Sequence, residues 1–207
     1  MSYTCTLSLK KIKDYLAGAA VVGFDFETSP IEEYRSEERA ALDAHKAAIT
    51  GVSLSVSEDS GIYIPLRHRA GRNIQRPEVV MDYLRQAVFE NATVIKVAHN
   101  LAFESLFLYA LGVIVQPPCY DTIAAAQLTL KSSTTFRGLS DSGLKTLVPQ
   151  LFHVELPDVE TVTAGRFLDE LDPQVHDTVR SPCPSSRHAL RLSTRFTGPL
   201  HPYPPPL

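Results

Sequence analysis

The sequence predicts an α/β fold, a mixed five-stranded sheet flanked by helices. Two observations carry this reading. Three strand-like segments stand close together early in the chain, and helix and strand patterns then alternate, an order that builds a mixed sheet with helices on its faces. The 207 residues, 44% hydrophobic and 21% charged, suit one domain with a buried core rather than a disordered chain.

Leu9, Ile12, Tyr15 and Leu16 recur at helical spacing, so residues 7–17 read as a short amphipathic helix. Residues 20–27 form the first strand, with Val21, Val22, Phe24 and Phe26 as strand formers and Thr28-Ser29-Pro30 as its stop. Residues 30–48 read as a charged, partly helical excursion. A hairpin follows, 49–56 and 61–66, around the turn Ser57-Glu58-Asp59-Ser60. Pro77 then opens a helix with Val80, Leu84 and Val88 on its apolar side. A buried strand at 92–98, a helix at 101–111 stopped by Gly112, a short strand at 113–115, and helices at 122–130 and 143–151 complete the pattern. From residue 181 prolines stand at 182, 184, 199, 202, 204, 205 and 206. Proline lacks an N–H and breaks helices. The chain therefore divides into a folded domain over 1–180 and an irregular, proline-rich tail over 181–207, truncated or disordered in its C-terminal part.

The net charge of −3 gives no global basic field of the kind that marks a nucleic-acid binder, though carboxylates gathered around metal ions mask such a signal. Cys5, Cys119 and Cys183 are odd in number and far apart, so they read as plain thiols of a reducing cytoplasm. No apolar run reaches membrane-spanning length, and the start lacks a signal pattern. A cytoplasmic protein without a membrane partner is the expectation.

Asp25-Phe26-Glu27 is the most informative triplet. On a strand alternate residues share a face, so the two carboxylates project together while Phe24 and Phe26 point the other way. Side-by-side carboxylates at the end of an apolar strand repel each other unless cations neutralise them, and hard oxygen ligands suit Mg²⁺ or Mn²⁺. A solvated strand end is the plainer alternative. Further on, His99-Asn100-Leu101-Ala102-Phe103-Glu104 opens a helix after an apolar strand. Asn100 suits its cap, Phe103 its first apolar anchor, and Glu104 faces the strand ends. Asp121-Thr122 starts the next helix with an acidic cap. Taken singly, Glu104 and Asp121 read equally as dipole-favoured carboxylates of helix N-termini.

Together these motifs resemble those of the DEDD exonucleases, most closely the proofreading 3′–5′ exonuclease domain of family A DNA polymerases. Val22-Gly23-Phe24-Asp25-Phe26-Glu27-Thr28 is similar to the first motif, and Ala98-His99-Asn100-Leu101-Ala102-Phe103-Glu104 to the second, with Glu for the commoner Asp. Tyr120-Asp121-Thr122 and Gly143-Leu144-Lys145-Thr146-Leu147 resemble two further family steps. The likeness spans about residues 7–180. It implies an RNase H-like fold and hydrolysis of DNA from a single-stranded 3′ end, with RNA left open as substrate. It implies two divalent ions, Mg²⁺ or Mn²⁺, held by the catalytic carboxylates Asp25, Glu27 and Glu104, with Asp121 a structural residue. Nucleic-acid contacts are implied at Thr28, His99, Asn100 and Phe103. Arg67 and Arg69, in a basic loop with Arg72 and Arg76, suit backbone phosphates as well as a solvated surface. The family's third motif, Tyr-x-x-x-Asp on a late helix, falls by register on Ser181 and Ser185, with Pro182 and Pro184 between them. The motif is degraded, so the exonuclease is expected to be impaired, and two alternatives stand beside it: an inactive nucleic-acid-binding module, or a remnant of a polymerase whose other domains lie outside this chain.

Overall fold

The structure is a computed structural model that describes residues 2–132, 142–156, 163–174, 188–189 and 191–193. Its centre is a mixed sheet in the order β1-β4-β3-β2-β5-β6. These strands are β1 Ser2–Cys5, β2 Val21–Pro30, β3 Ala47–Ser57, β4 Ser60–Pro65, β5 Ile95–Ala98 and β6 Cys119–Asp121. The helices are α1 Leu9–Leu16, α2 Pro77–Leu84 with a π turn through Arg85–Phe89, α3 Leu101–Ala110, α4 Thr122–Ser132 and α5 Leu144–Phe152. No helix among the described residues is long and apolar enough to cross a membrane.

Six strands stand where five were expected. β1 is the addition: four residues carry no legible pattern, and the strand exists because it pairs in parallel with β4. The expected strand at 113–115 is replaced by β6, which pairs in parallel with β5 and sets Asp121 opposite Ala98. β2 also runs past its expected stop. After a bulge between Glu27 and Thr28, residues Thr28, Ser29 and Pro30 still pair with Ile49, Ala48 and Ala47 of β3. The charged excursion contains two 3-10 turns, Glu32–Tyr34 and Ala40–Leu42.

The alternation of β2 decides the layout. Phe24 and Phe26 turn to the face covered by α1, α2 and α3, where they meet Phe89 with ring centroids 5.1–5.9 Å apart. Ile12, Leu16, Val80, Leu84, Phe107 and Leu108 close over them to form the main core. On the other face Ile95 and Val97 pack with Ala189, and Tyr63 with Leu171. Inside the proline-rich tail, read as irregular apart from a helical pattern at residues 189–192, the described residues 188–189 and 191–193 are helical, and Leu192 is buried with Ala126 and Leu147. Ser181 and Ser185 lie outside the described residues.

Candidate active site

β5 pairs with β2 only along Val21, Val22 and Gly23. Beyond that point the β2 edge carries Asp25 and Glu27 toward the place where the chain leaves β5 for α3. Across the other edge Asp25 pairs with Ser53 and Glu27 with Gly51. A side chain at 51 would collide with the Tyr63 ring, so glycine is what lets Tyr63 lie over the strand beside Glu27. Tyr63 Oη sits 2.7 Å from His68 Nε2, and His68 Nδ1, 3.0 Å from the Leu171 carbonyl, donates to it.

The head of α3 is fixed by a residue from a different strand. Asp121 accepts hydrogen bonds from the backbone N–H groups of Asn100 (3.1 Å), Leu101 (3.0 Å) and Ile123 (2.9 Å), so one carboxylate satisfies the N-termini of both α3 and α4. Asn100 stands at the cap position of α3 but adopts the left-handed conformation, φ 80°, and its side chain makes no capping bond. The expected asparagine cap is thus supplied by Asp121 instead. Thr122 Oγ1 donates to the Ala98 carbonyl (3.2 Å) and therefore accepts from His99 Nδ1 (2.8 Å), which fixes the ring beside the second motif. Phe103 packs on Phe107, centroids 4.9 Å apart.

Glu104, on the first turn of α3, is 2% exposed, and its Oε2 has no hydrogen-bond partner among the described residues. Burial, and then the neighbouring Asp25 charge, push its carboxyl up to about 9; Asp121 and Glu27 add smaller repulsions. Burial and Asp25 likewise raise Glu27 well above the usual carboxylate range. Three carboxylates from β2 and α3 therefore repel one another across a poorly solvated space. Among the described residues no group of three or more His, Cys, Asp or Glu side chains stands close enough together, as the side chains are placed, to hold a metal ion. The donor chemistry nevertheless suits a hard divalent cation: oxygen ligands, unneutralised charge and a buried oxygen with an unused lone pair.

Other sequence-predicted positions have different occupations. Thr28 is buried and its hydroxyl donates to the Ala41 carbonyl at 2.7 Å. Arg69 is ion-paired with Glu32 and with Asp169, the latter at 3.1 Å, so its charge is committed within the protein. Arg67 is exposed and lines a cavity of about 460 Å³ with Ile31, Leu66, Met81 and Phe107. Sequence reasoning missed the clamp that includes Asp169. Arg35 Nη1 and Nη2 reach Asp169 at 2.9 and 3.1 Å, Nη2 also reaches Glu170 at 2.7 Å, and the guanidinium lies 4.5 Å from the Phe167 ring centre. Asp169 N donates to Ser29 Oγ, two residues past Glu27, so this clamp fastens residues 167–171 beside the carboxylate strand. No local pattern announces a pair separated by 134 residues.

A model of the family described as 3′–5′ exonuclease matches residues 2–166. DNA polymerase I of Borreliella burgdorferi is 28% identical over 127 residues, which are 61% of this chain and 12% of that protein. The chain thus spans about an eighth of the length of this curated relative. Among solved structures, the EXO domain of Aedes aegypti Nibbler superposes with a TM-score of 0.68 at 14% identity, over 93% of this chain and 86% of that one. Brucella melitensis NrnC with bound Mg²⁺ gives 0.61 at 16% identity, over 94% and 79%. At such identities these two likenesses are likenesses of fold.

Proposed function

The chain belongs to the 3′–5′ exonuclease family, and from that premise we propose that it removes nucleotides from the 3′ end of single-stranded DNA by divalent-metal-dependent hydrolysis. The observation that carries the metal reading is the buried Oε2 of Glu104, without a hydrogen-bond partner among the described residues, beside Asp25 and Glu27. A cation relieves the repulsion there and gives that oxygen its missing partner. Two ions, Mg²⁺ or Mn²⁺, supply in such sites a water of lowered pKa and neutralise charge on the reacting phosphate. Asp25, Glu27 and Glu104 hold them. Asp121 holds the head of α3 in place, and with it Glu104. In this reading His99, Asn100 and Phe103, which lead from β5 into α3 just ahead of Glu104, contact the DNA strand end. The likeness to part of a DNA polymerase favours DNA over RNA, and the NrnC structure with bound Mg²⁺ supports a magnesium site.

Incubation of 5′-labelled single-stranded DNA with Mg²⁺, Mn²⁺ or EDTA, beside an Asp25→Ala variant, tests this reading. Stepwise shortening that needs both the metal and Asp25 is expected. Loss of one preorganised electrostatic group should slow the reaction by about 10²–10³-fold. A second reading rests on Ser181 and Ser185, which stand where the family carries Tyr and Asp. It makes the chain a strand-binding module with little turnover. DNA that is bound but left intact by a folded protein would favour it.

A further inference from the structure

Beside the carboxylates, β3 carries a run of hydroxyls at Thr50, Ser53 and Ser55. All three are buried. Thr50 Oγ1 donates to the Glu27 carbonyl at 3.0 Å, and Ser55 Oγ lies 2.7 Å from the carbonyls of both Ser57 and Ser60. Ser53 is the exception. It is 0% exposed, yet its Oγ has no hydrogen-bond partner among the described residues. A buried hydroxyl without a partner costs free energy, and a fold seldom keeps one without a use for it.

The register shows what lies next to it. Ser53 pairs with Asp25 on one side and with Tyr63 on the other, and directly paired residues of antiparallel strands project to the same face, about 5 Å apart at Cβ. Tyr63 turns its hydroxyl to His68. On the other flank, the acceptor in the same row is the Asp25 carboxylate. We propose that Ser53 is a positioning residue: when a divalent cation occupies the site, its hydroxyl donates to the Asp25 carboxylate and orients it toward the ion. The inference rests on the metal reading above. Without a cation, nothing draws the three carboxyl groups to a common centre, and Ser53 Oγ has no hydrogen-bond partner among the described residues. With one, the carboxylates draw together and the idle donor finds its acceptor. A hydroxyl used this way weakens the metal-free fold and strengthens the loaded one, which separates it from an ordinary structural serine.

The test is calorimetric titration of Mn²⁺ into the wild type, Ser53→Ala and Asp25→Ala, with metal-free melting curves of each. Removing an outer-shell partner of a metal ligand typically weakens affinity about 10- to 100-fold, and at least a tenfold loss is expected for Ser53→Ala. Its metal-free Tm should equal or exceed that of the wild type, because the orphaned hydroxyl has gone. Wild-type affinity in Ser53→Ala, with binding lost in Asp25→Ala, would overturn the role of Ser53 and leave the metal site standing. A metal-free Tm that drops in Ser53→Ala would also overturn it, by making the serine structural. A wild type that takes up no Mn²⁺ would overturn both readings.

Discussion

Glu104 has the ordinary place of a helix-favoured carboxylate, the first turn of α3, but not the ordinary environment. Its burial and the charge of Asp25 hold its proton up to about 9, whereas an unfolded glutamate ionises near about 4.3. Between those values the native state binds a proton that the unfolded state has released. That contribution is therefore complete below the unfolded pKa and is lost as pH climbs through the folded one. Glu27 shifts in the same direction. In EDTA the Tm should fall as pH rises from about 5 to about 9, and added Mn²⁺ should raise it most at the alkaline end, where the carboxylates are ionised. Thermal melts across that range check this. A flat profile in EDTA, with no metal effect at either end, would count against the repelling cluster. The placement of Asp25 and Glu27 on one strand and of Glu104 on the first turn of α3 was legible from strand alternation and motif spacing. Ser53 was not, because a serine inside an alternating strand looks the same whether its hydroxyl is used or idle.

At the scale of elements, the site depends on contacts that join distant parts of the chain. Asp121 ties the starts of α3 and α4 together, and Arg35 ties residues 167–171 to the end of β2. Arg35 and Asp169 are 13% and 6% exposed at their side chains, so the pair is largely desolvated. Removing one partner leaves the other charge poorly compensated, although Arg69 also contacts Asp169. Arg35→Ala should therefore lower stability by about 2–4 kcal/mol in urea denaturation, and Arg35→Lys should recover only part of it, since lysine lacks the planar fork. A loss below about 0.5 kcal/mol would mean the clamp behaves as an ordinary surface pair. The helices were readable from periodicity and punctuation: Pro77 opens α2 and Gly112, φ 75°, follows α3. The edge strands were not. The apolar run Val113-Ile114-Val115 looks like a strand yet has only Val113 buried, while the more polar Cys119–Asp121 is one because β5 offers it an edge.

For the molecule as a whole, one sheet divides two chemistries. Its face toward α1, α2 and α3 is an aromatic and aliphatic core. Its other face presents Asp25 and Glu27 in the same rows as Ser53, Gly51 and Tyr63. Phe24 and Phe26 anchor the same strand that displays the carboxylates, so strand alternation alone couples the core to the proposed site. The sequence made this division readable, together with the order of the first two motifs. It could not supply the count of strands or the clamp, which arise from pairing across the whole chain. The central claim is that β2 and α3 bring three carboxylates to one cation site. Anomalous diffraction from crystals soaked in Mn²⁺ measures that most directly. The predicted result is a peak in direct contact with Asp25 and Glu104, absent from crystals of Asp25→Ala. A map with no peak between β2 and α3, or with Mn²⁺ bound only elsewhere, would contradict it.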